Sequence, residues 1–262
     1  MQMSATRTDE AVDREALEHK VKEMYRRVAE EPDGDFHFEM GRKLAERLGY
    51  PPADLDRIPA QAVDSFAGVG YYMDLADIRP GDVVLDLGSG SGMDTFIAAL
   101  KTGPRGRVLG LDMTEAQREK ARRLAKAAGI VNVSFHEGYI EEPPFDDESV
   151  DVIISNGVIN LSADKGRVFA AAARLLKPGG RLALSDIVTE KPLPEVVKCD
   201  ATLWAACIGG ALQEDDYRTA IMEGGLDVAK VRENPQYVFL TDSAHGASKT
   251  WGVKSISLLA TR

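Results

Sequence analysis

The sequence predicts an α/β protein with a doubly wound, mostly parallel sheet of seven strands. The first observation is the apolar run from Val83 to Leu87, interrupted only by Asp86, which is typical of a central parallel strand. The second is the regular alternation of strand-like and helix-like segments that begins at Asp82. Strands that alternate with helices imply parallel pairing through right-handed crossovers. We therefore expect a Rossmann-like sheet.

The first 76 residues carry no strand-like pattern and predict an N-terminal helical cap. The charged segment 9–30 has an apolar stripe at helical spacing, and a second helix-like segment ends near Leu48. We place a domain boundary after residue 76, so that residues 77–262 form the sheet domain. A Pro-flanked segment at about 190–212 interrupts the alternation, and we expect it to form a lid over the site.

The sheet domain divides into segments of alternating character. Strand-like segments cover residues 83–87, 107–111, 131–136, 150–155, 181–187, 226–232 and 253–260. Helix-like segments cover residues 93–100, 114–128, 164–176 and 214–222, and the second of these opens with a predicted capping box from Thr114 to Gln117. The Gly/Ser-rich segment around His245 is expected to be a solvated loop.

A glycine loop follows the first strand, with the spacing G-x-G-x-G at Gly88, Gly90 and Gly92. Glycines allow a sharp turn and bring bare backbone against a ligand, as in the nucleotide sites beyond the strand ends of open α/β sheets. A dinucleotide loop has the spacing G-x-G-x-x-G, and Met93 replaces its last glycine here. The spacing disfavours an NAD-dependent oxidoreductase. A purely structural strand-to-helix turn is the alternative.

Two acidic residues flank this loop in the chain. Asp86 lies just before it, where a carboxylate is badly placed for a pyrophosphate but well placed for an ammonium group. Asp112 ends the next strand, at the spacing where a carboxylate can accept both hydroxyls of a ribose. An ammonium group and a ribose together describe S-adenosylmethionine (SAM) better than NAD.

Composition excludes several classes of partner. The formal charge of −10 and the pI near 5.0 argue against nucleic acid and anionic membranes, because neither surface attracts an acidic chain. The two cysteines, Cys199 and Cys207, imply no disulfide framework, so a cytoplasmic protein is expected. Oligomeric state is left open by the sequence.

Four motifs show a resemblance to the class I SAM-dependent methyltransferases. They are DLGSGSG (86–92), GLDM (110–113), GYIE (138–141) and LLKPGGRLALSD (175–186). More narrowly, SNGVINLSADK (155–165) and KPGGRLALSDIV (177–188) resemble the arsenite methyltransferases, and this similarity runs from about residue 58 to residue 226. The resemblance implies a Rossmann-like fold, SAM as cofactor and a small-molecule substrate.

The chain departs from the arsenite methyltransferases at the arsenic-binding cysteines. That family places thiolates at three positions, and two of them are occupied here by Val69 and Gly157. Only the third position keeps its cysteine, as Cys207. Trivalent arsenic is soft and needs several thiolates, so one cysteine cannot clamp it. The sequence therefore predicts no metal site and an organic rather than a metalloid substrate.

The resemblance also implies which residues hold SAM. The amino-acid portion of SAM is expected to bind at the glycine loop, to Asp86, Gly88, Ser89, Gly90 and Gly92, with Asn156 beside the methionine portion. The ribose is expected to bind to Asp112. Met113 and Ile140 are expected to flank the adenine, with Tyr139 at its edge. The alternatives are ordinary core for the apolar pair and a solvated strand end for the ribose acid.

No acid/base pair stands out in the sequence, and the catalytic residues stay unknown. The candidates are His37, Tyr71, Tyr72 and Cys207, with Trp204 as a further wall of the substrate cleft. The two tyrosines follow a glycine and are expected at the cleft mouth or, alternatively, in the packing between cap and core. His37 is either a base or a packed histidine. Cys207 is either a ligand or a small apolar filler.

Three functions stay open at this point. The first is a SAM-dependent methyltransferase acting on a small organic molecule. The second is an arsenite or related metalloid methyltransferase with a reduced set of thiols. The third is a SAM-binding protein without catalysis. Methyl transfer from an activated donor requires mainly alignment of the acceptor and exclusion of water, which agrees with the predicted cap and lid.

Overall fold

A computed structural model describes residues 14–194 and 208–262, and these form one seven-stranded sheet flanked by helices. The strands are β1 (Val83–Leu87), β2 (Arg107–Asp112), β3 (Val133–Glu137), β4 (Val150–Asn156), β5 (Leu176–Val188), β6 (Asp227–Glu233) and β7 (Lys254–Thr261). All seven strands were predicted. β5 begins earlier than expected because Leu176 already pairs with Val150 ahead of an irregularity in the ladder.

The strand order is β3-β2-β1-β4-β5-β7-β6. β1 to β5 pair in parallel, and β7 lies antiparallel between β5 and β6. The predicted doubly wound, mostly parallel Rossmann-like sheet is confirmed. Because the chain winds outwards from β1 in one direction and from β4 in the other, the crevice between these two strands is where such sheets bind ligands.

The helices of the described part are α1 (Arg14–Glu30), α2 (Gly41–Leu48), α3 (Pro52–Leu55), α4 (Ala60–Asp64), α5 (Met73–Ala76), α6 (Met93–Thr102), α7 (Glu115–Ala128), α8 (Lys165–Leu175), α9 (Glu214–Glu223) and α10 (Asp242–Trp251). A 3-10 turn covers Ile159–Leu161. None of the described helices is long and apolar enough to cross a membrane.

The sequence interpretation was wrong about α10, which was expected to be a loop. Thr241 caps the helix by accepting from the Ala244 backbone N–H at 3.2 Å, and Ala244 and Ala247 are buried one turn apart. The cap and these two small apolar residues outweigh the low helix propensity of Gly246. His245 faces solvent, as expected.

The predicted capping box at the start of α7 is also wrong. Thr114 occupies the N-cap position, but its side chain does not cap the helix. Gln117 does not reach back to the N-cap either, because its amide bonds to Ser91 and to the backbone of α1.

The N-terminal helices pack directly against the sheet domain. Side chains of α2, α4 and α5 share one hydrophobic cluster with β1, β4 and α6, and Leu44, Tyr72 and Val84 are among its fully buried members. The division after residue 76 stays a prediction. The expected lid at 190–212 lies mostly outside the described residues, and its described ends place Leu193 and Ile208 in a small cluster with Val69.

Candidate active site

A cavity of about 400 Å³ opens at the carboxyl ends of β1, β2 and β4. It lies at the strand crevice where the winding direction reverses. Its volume is within the range of small-molecule sites. Nine of the ten residues expected to hold SAM line it, namely Asp86, Gly88, Ser89, Gly90, Asp112, Met113, Tyr139, Ile140 and Asn156. Gly92 does not line it, since it caps α6 next to the rings of Phe96 and Phe135.

The glycine loop presents bare backbone to this cavity. Gly88 and Gly90 have φ values of +73° and +51°, which L side chains rarely adopt. A Cβ on Gly88 would lie 2.5 Å from Val158 Cγ1, whereas a Cβ on Gly90 would meet nothing closer than Gln117 Oε1 at 3.7 Å. Ser89 Oγ is buried without a hydrogen-bond partner in the described part of the chain. The loop therefore offers a cradle and one unpaired hydroxyl.

Asp112 organises the loop and keeps capacity for a ligand. Its Oδ2 accepts from the Gly90 N–H at 2.9 Å, and its Oδ1 accepts from the Thr114 N–H at 2.8 Å. Burial raises the pKa of Asp112, and these backbone donors oppose the rise. Each carboxylate oxygen can accept a second hydrogen bond. The two remaining positions suit a pair of vicinal hydroxyls.

Asp86 is buried at the end of β1. Its Oδ2 accepts from Thr95 Oγ1 at 2.6 Å. Burial raises its pKa well above the usual range, and the negative charge of Asp94 adds to the rise. A carboxylate held in this way is stabilised by any cation that enters the cavity.

Side chains that follow β2 and β3 form another wall of the cavity. Ile140 and Met113 face the cavity, and Tyr139 is 46% exposed at its rim. The Tyr139 hydroxyl donates to Glu18 Oε1 at 2.6 Å and lies 3.0 Å from Lys22 Nζ, so it links the rim to α1. We call these residues the loop side of the cavity: Asp86, Gly88, Ser89, Gly90, Asp112, Met113, Tyr139 and Ile140.

Helix α1 roofs the cavity. Val21 is buried against Met113 on one wall and Leu161 on the other. Gln117 joins the roof to the glycine loop, because its Nε2 donates to the Tyr25 carbonyl at 2.9 Å and its Oε1 accepts from Ser91 Oγ at 2.5 Å. The sequence marked α1 as part of a cap but gave no sign of this bridge.

Where the glycine loop leads into α6, four side chains form a polar cluster that we call the tyrosine network: Tyr50, Tyr72, Asp94 and Asn156. Tyr50 OH donates to Asp94 Oδ1 at 2.7 Å, and Tyr72 OH donates to Asp94 Oδ2 at 2.8 Å. Asn156 Nδ2 lies 3.2 Å from the same Oδ2. Asp94 and Asn156 line the cavity, whereas both tyrosines lie behind them.

The sequence interpretation missed Asp94 and Tyr50. The available signal was an aspartate two residues after the last glycine of the loop, in the first turn of α6. Tyr50 gave no signal, because it lies in a Gly-Tyr-Pro-Pro turn far from the motifs.

The catalytic candidates from the sequence lie elsewhere. Tyr72 is fully buried and Tyr71 packs edge-on against Tyr50, so of the two alternatives the structure agrees with packing between cap and core and not with a place at the cleft mouth. A hydrogen bond to Asp94 holds Tyr72 in the core, and Tyr71 packs against the ring of Tyr50. His37 packs against Phe38 outside the cavity, and its buried Nε2 has no partner in the described residues. Cys207 and Trp204, like Cys199, lie outside the described residues.

The two positions where the arsenite methyltransferases place thiolates are neighbours in space. A Cβ built on Gly157 would lie 3.2 Å from Val69 Cγ1. Val69 is 2% exposed and packs among aliphatic side chains, including Ile187 and Val253. These two positions therefore supply an apolar contact and no sulfur.

The cavity lining is strongly acidic. It contains seven carboxylates and one guanidinium, namely Glu18, Asp86, Asp94, Asp112, Glu141, Glu142, Asp164 and Arg167. The guanidinium already lies 3.3 Å from Glu142. Such a surface attracts cations and repels anions. Together with the cradle, the unpaired Ser89 hydroxyl and the open oxygens of Asp112, it fits a cationic nucleoside such as SAM.

Comparison with known proteins decides the family. A family model described as "Methyltransferase domain" matches residues 78–225, more than half of the chain. The chain belongs to the class I SAM-dependent methyltransferases. The resemblance inferred from the motifs is thereby confirmed.

The methyltransferase is similar to several characterised members. It is 42% identical to an arsenite methyltransferase from Halobacterium salinarum over 71% of this chain and 48% of that protein. It is 30% identical to the 27-O-demethylrifamycin SV methyltransferase of Amycolatopsis mediterranei over 71% and 66% of the two chains. The crystal structure of an arsenic(III) SAM methyltransferase from Chlamydomonas reinhardtii is 30% identical, covers 85% of this chain and 74% of that one, and has a TM-score of 0.64. The chain spans about half the length of the Halobacterium relative.

Proposed function

We propose that this protein transfers a methyl group from SAM to a small organic molecule. The observation that carries the proposal is the convergence of the glycine loop, Asp86 and Asp112 on one acidic cavity. When bound, SAM supplies a methyl group already activated by the positive charge on its sulfur. The remaining work belongs to residues of this chain.

In this proposal the loop side holds the cofactor. Asp112 accepts the two ribose hydroxyls through its open oxygen positions, and Asp86 faces the ammonium group. Met113 and Ile140 enclose the adenine, and Tyr139 covers its edge. The backbone of Gly88 and Gly90 and the Ser89 hydroxyl hold the amino-acid portion. Gly92 contributes by fixing the start of α6 rather than by contact.

The roof and the apolar walls exclude water from the reacting atoms. Val21 and Tyr25 of α1 close the cavity above, and Phe66, Val158 and Leu161 line it on the side of β4. Displacement at a methyl carbon depends on alignment and on a dry site, because water competes as an acceptor. The chain's own contribution to rate is therefore orientation, exclusion of water and management of the acceptor's proton.

A second candidate function is arsenite methylation, favoured by the 42% identity to the Halobacterium salinarum enzyme. Against it stand Val69 and Gly157 at two thiolate positions, which leave Cys207 alone. One thiolate binds trivalent arsenic too weakly to compete with cellular thiols. We expect no efficient formation of methylated arsenic from arsenite, SAM and glutathione. Turnover that Cys207→Ser abolishes would promote the metalloid function instead.

A SAM-binding protein without catalysis is the third possibility, and a labelled-methyl assay separates it from the other two. We also propose a cytoplasmic location, from the two-cysteine composition, and no nucleic-acid partner, from the charge of −10.

The first test of cofactor identity is thermal unfolding with SAM, S-adenosylhomocysteine and NAD. A ligand at about 100 times its dissociation constant adds about 2.7 kcal/mol to the free energy of unfolding. Either SAM-derived ligand should raise the melting temperature, and NAD should not. A shift with NAD alone would contradict the proposal.

A further inference from the structure

The tyrosine network holds a carboxylate at the cavity wall with an open acceptor position. Asp94 is 6% exposed and lines the cavity from the first turn of α6. Its Oδ2 accepts from Tyr72 and lies within reach of Asn156 Nδ2, whereas Tyr50 is the only donor to its Oδ1 among residues 14–194 and 208–262. An ionised carboxylate oxygen can accept two hydrogen bonds, so Oδ1 keeps one position for a ligand.

The network holds the Asp94 side chain in one orientation and leaves it at the cavity wall. Asn156 is itself fixed, because its Oδ1 accepts from the Val69 N–H at 2.8 Å and its Nδ2 lies 3.1 Å from the Gly70 carbonyl. A Cβ on Gly68 would lie 2.6 Å from Asn156 Nδ2, so only a glycine lets the chain pass here. Side chains from three other segments of the chain thus converge on one carboxylate.

Two buried carboxylates, Asp86 and Asp94, face the same cavity, and two such charges are unfavourable unless cations or protons compensate them. In the proposed function the cofactor's ammonium group compensates Asp86. Asp94 already accepts from Tyr50, Tyr72 and Asn156 and keeps one acceptor position for a further donor. Burial raises the pKa of Asp94, although Tyr50, Tyr72 and Asn156 donate to the charged form and oppose the rise.

We propose that Asp94 binds the methyl acceptor through its N–H or O–H group and takes up the acceptor's proton at Oδ1. The acceptor is accordingly an amine or a hydroxyl compound with an apolar body and without an anionic group. This inference rests on the proposed methyltransferase function, which it deepens by naming a catalytic residue and a substrate class.

Methyl transfer to this acceptor releases one proton, and Asp94 receives it. The acceptor's nitrogen or oxygen forms a bond to the methyl carbon and loses its proton to Asp94 Oδ1. The electron pair of the broken carbon–sulfur bond leaves with the sulfur. Asp94 ends as a carboxylic acid and returns the proton to water when the cavity opens. Proton removal by a placed base contributes about 10²–10⁴-fold to a rate.

The apolar part of the cavity lining defines the rest of the acceptor. Phe66, Ala67 and Val158 line the cavity with apolar surface, and the carboxylates of the lining exclude carboxylate and phosphate groups. An amine enters the negative field as an ammonium ion, gives one proton to Asp94 and only then attacks through its lone pair, whereas a neutral hydroxyl compound gains only the hydrogen bond.

The test is methyl transfer from labelled SAM to size-matched probes. Benzylamine, benzyl alcohol and phenol represent the protic class, and benzoate, phenyl phosphate and arsenite with glutathione represent the excluded classes. Product is expected from at least one protic probe and from none of the others. A preference for benzylamine identifies amines as the class, and a preference for the alcohol or phenol identifies hydroxyl compounds.

Asp94→Asn should lower turnover about 100-fold or more, while binding of S-adenosylhomocysteine stays within about threefold. Asp215→Asn is the matched control, because Asp215 is an exposed aspartate that is also the second residue of its helix, α9. Asp215→Asn should match the unmodified protein in both measurements.

Tyr72→Phe provides a second readout in case Asp94→Asn does not fold. Removing a donor to the charged carboxylate raises its pKa, so the rising limb of the pH–rate profile should move to higher pH. The titratable groups around Asp94 are Tyr50, Tyr71, Tyr72 and Asp86, with Asp112 acting on Asp86. A purely structural tyrosine would lower stability without moving the profile.

Three results would overturn the inference while leaving cofactor binding intact: full turnover in Asp94→Asn, product from an anionic probe or arsenite, or no product from any protic probe. Failure of the unmodified protein to bind S-adenosylhomocysteine would instead remove the proposed function itself.

Discussion

The loop side and the tyrosine network border the same cavity but are built on different principles. The loop side uses backbone from two short stretches around residues 88–90 and 112–113 and keeps hydrogen-bonding positions open. The tyrosine network uses side chains from distant segments, and most of their hydrogen bonds are to one another. Open backbone suits a ligand common to a whole family, whereas a fixed side-chain network suits recognition particular to one member.

The largest expected effect on the loop side comes from Gly88→Ala. The new Cβ would meet Val158 at 2.5 Å in a backbone conformation with φ of +73°. Strain and overpacking together should lower the free energy of unfolding by about 3 kcal/mol. Urea unfolding measures this value.

Gly81→Ala is the matched control, because φ there is +96° and a Cβ would meet nothing within 4 Å. It should cost only about 1–2 kcal/mol, the backbone part of the effect. The double variant Gly88→Ala with Val158→Ala should recover part of the difference. Equal losses in Gly88→Ala and Gly81→Ala would show that close packing against Val158 does not matter.

Asp186 is a buried aspartate that resembles Asp94 but does not line the cavity. Tyr217 OH donates to it at 3.0 Å, and it also accepts from the backbone of Asn160 at 3.1 Å. Burial raises the pKa of Asp186 to about 6. The native state therefore binds more protons than the unfolded state between about pH 4 and this value, and stability falls as the pH rises through that window.

Asp186→Asn removes this titration. Relative to the variant, the unmodified protein should lose about 2–3 kcal/mol of unfolding free energy from about pH 4 to pH 7. Parallel denaturation series at several pH values give the difference directly. Parallel stability curves for the two proteins would mean that Asp186 does not titrate in this range.

The smallest effect is expected at the bridge between the loop and the roof. Gln117→Leu removes the hydrogen bonds to Ser91 and to the Tyr25 carbonyl and should cost about 1–2 kcal/mol. Affinity for S-adenosylhomocysteine should fall modestly, because α1 covers the cavity. Gln61→Leu, on the exposed face of α4, is the control. Unchanged affinity in Gln117→Leu would separate the roof from the loop side.

The sequence predicted the sheet and the loop side because their signals are local. The apolar run from Val83 to Leu87 predicts a buried strand, and the glycine loop and Asp112 follow it at the spacing typical of a nucleotide site. The tyrosine network was not predictable, because Tyr50, Asp94 and Asn156 meet only through tertiary packing. Tyr72 shows the limit most clearly: its position beside the glycine-rich stretch was recognised, but only the fold determines that its hydroxyl points to Asp94.

The central claim is that the loop side binds the cofactor and that Asp94 governs the acceptor. Calorimetric titration of S-adenosylhomocysteine into the unmodified protein, Asp112→Ala and Asp94→Asn tests it directly, with circular dichroism to confirm folding. Loss of two charge-assisted hydrogen bonds should weaken binding to Asp112→Ala by about 100-fold or more. Asp94→Asn should bind within about threefold of the unmodified protein, since the ligand lies on the loop side. Unchanged affinity in Asp112→Ala, or a comparable loss in Asp94→Asn, would contradict this division of the site.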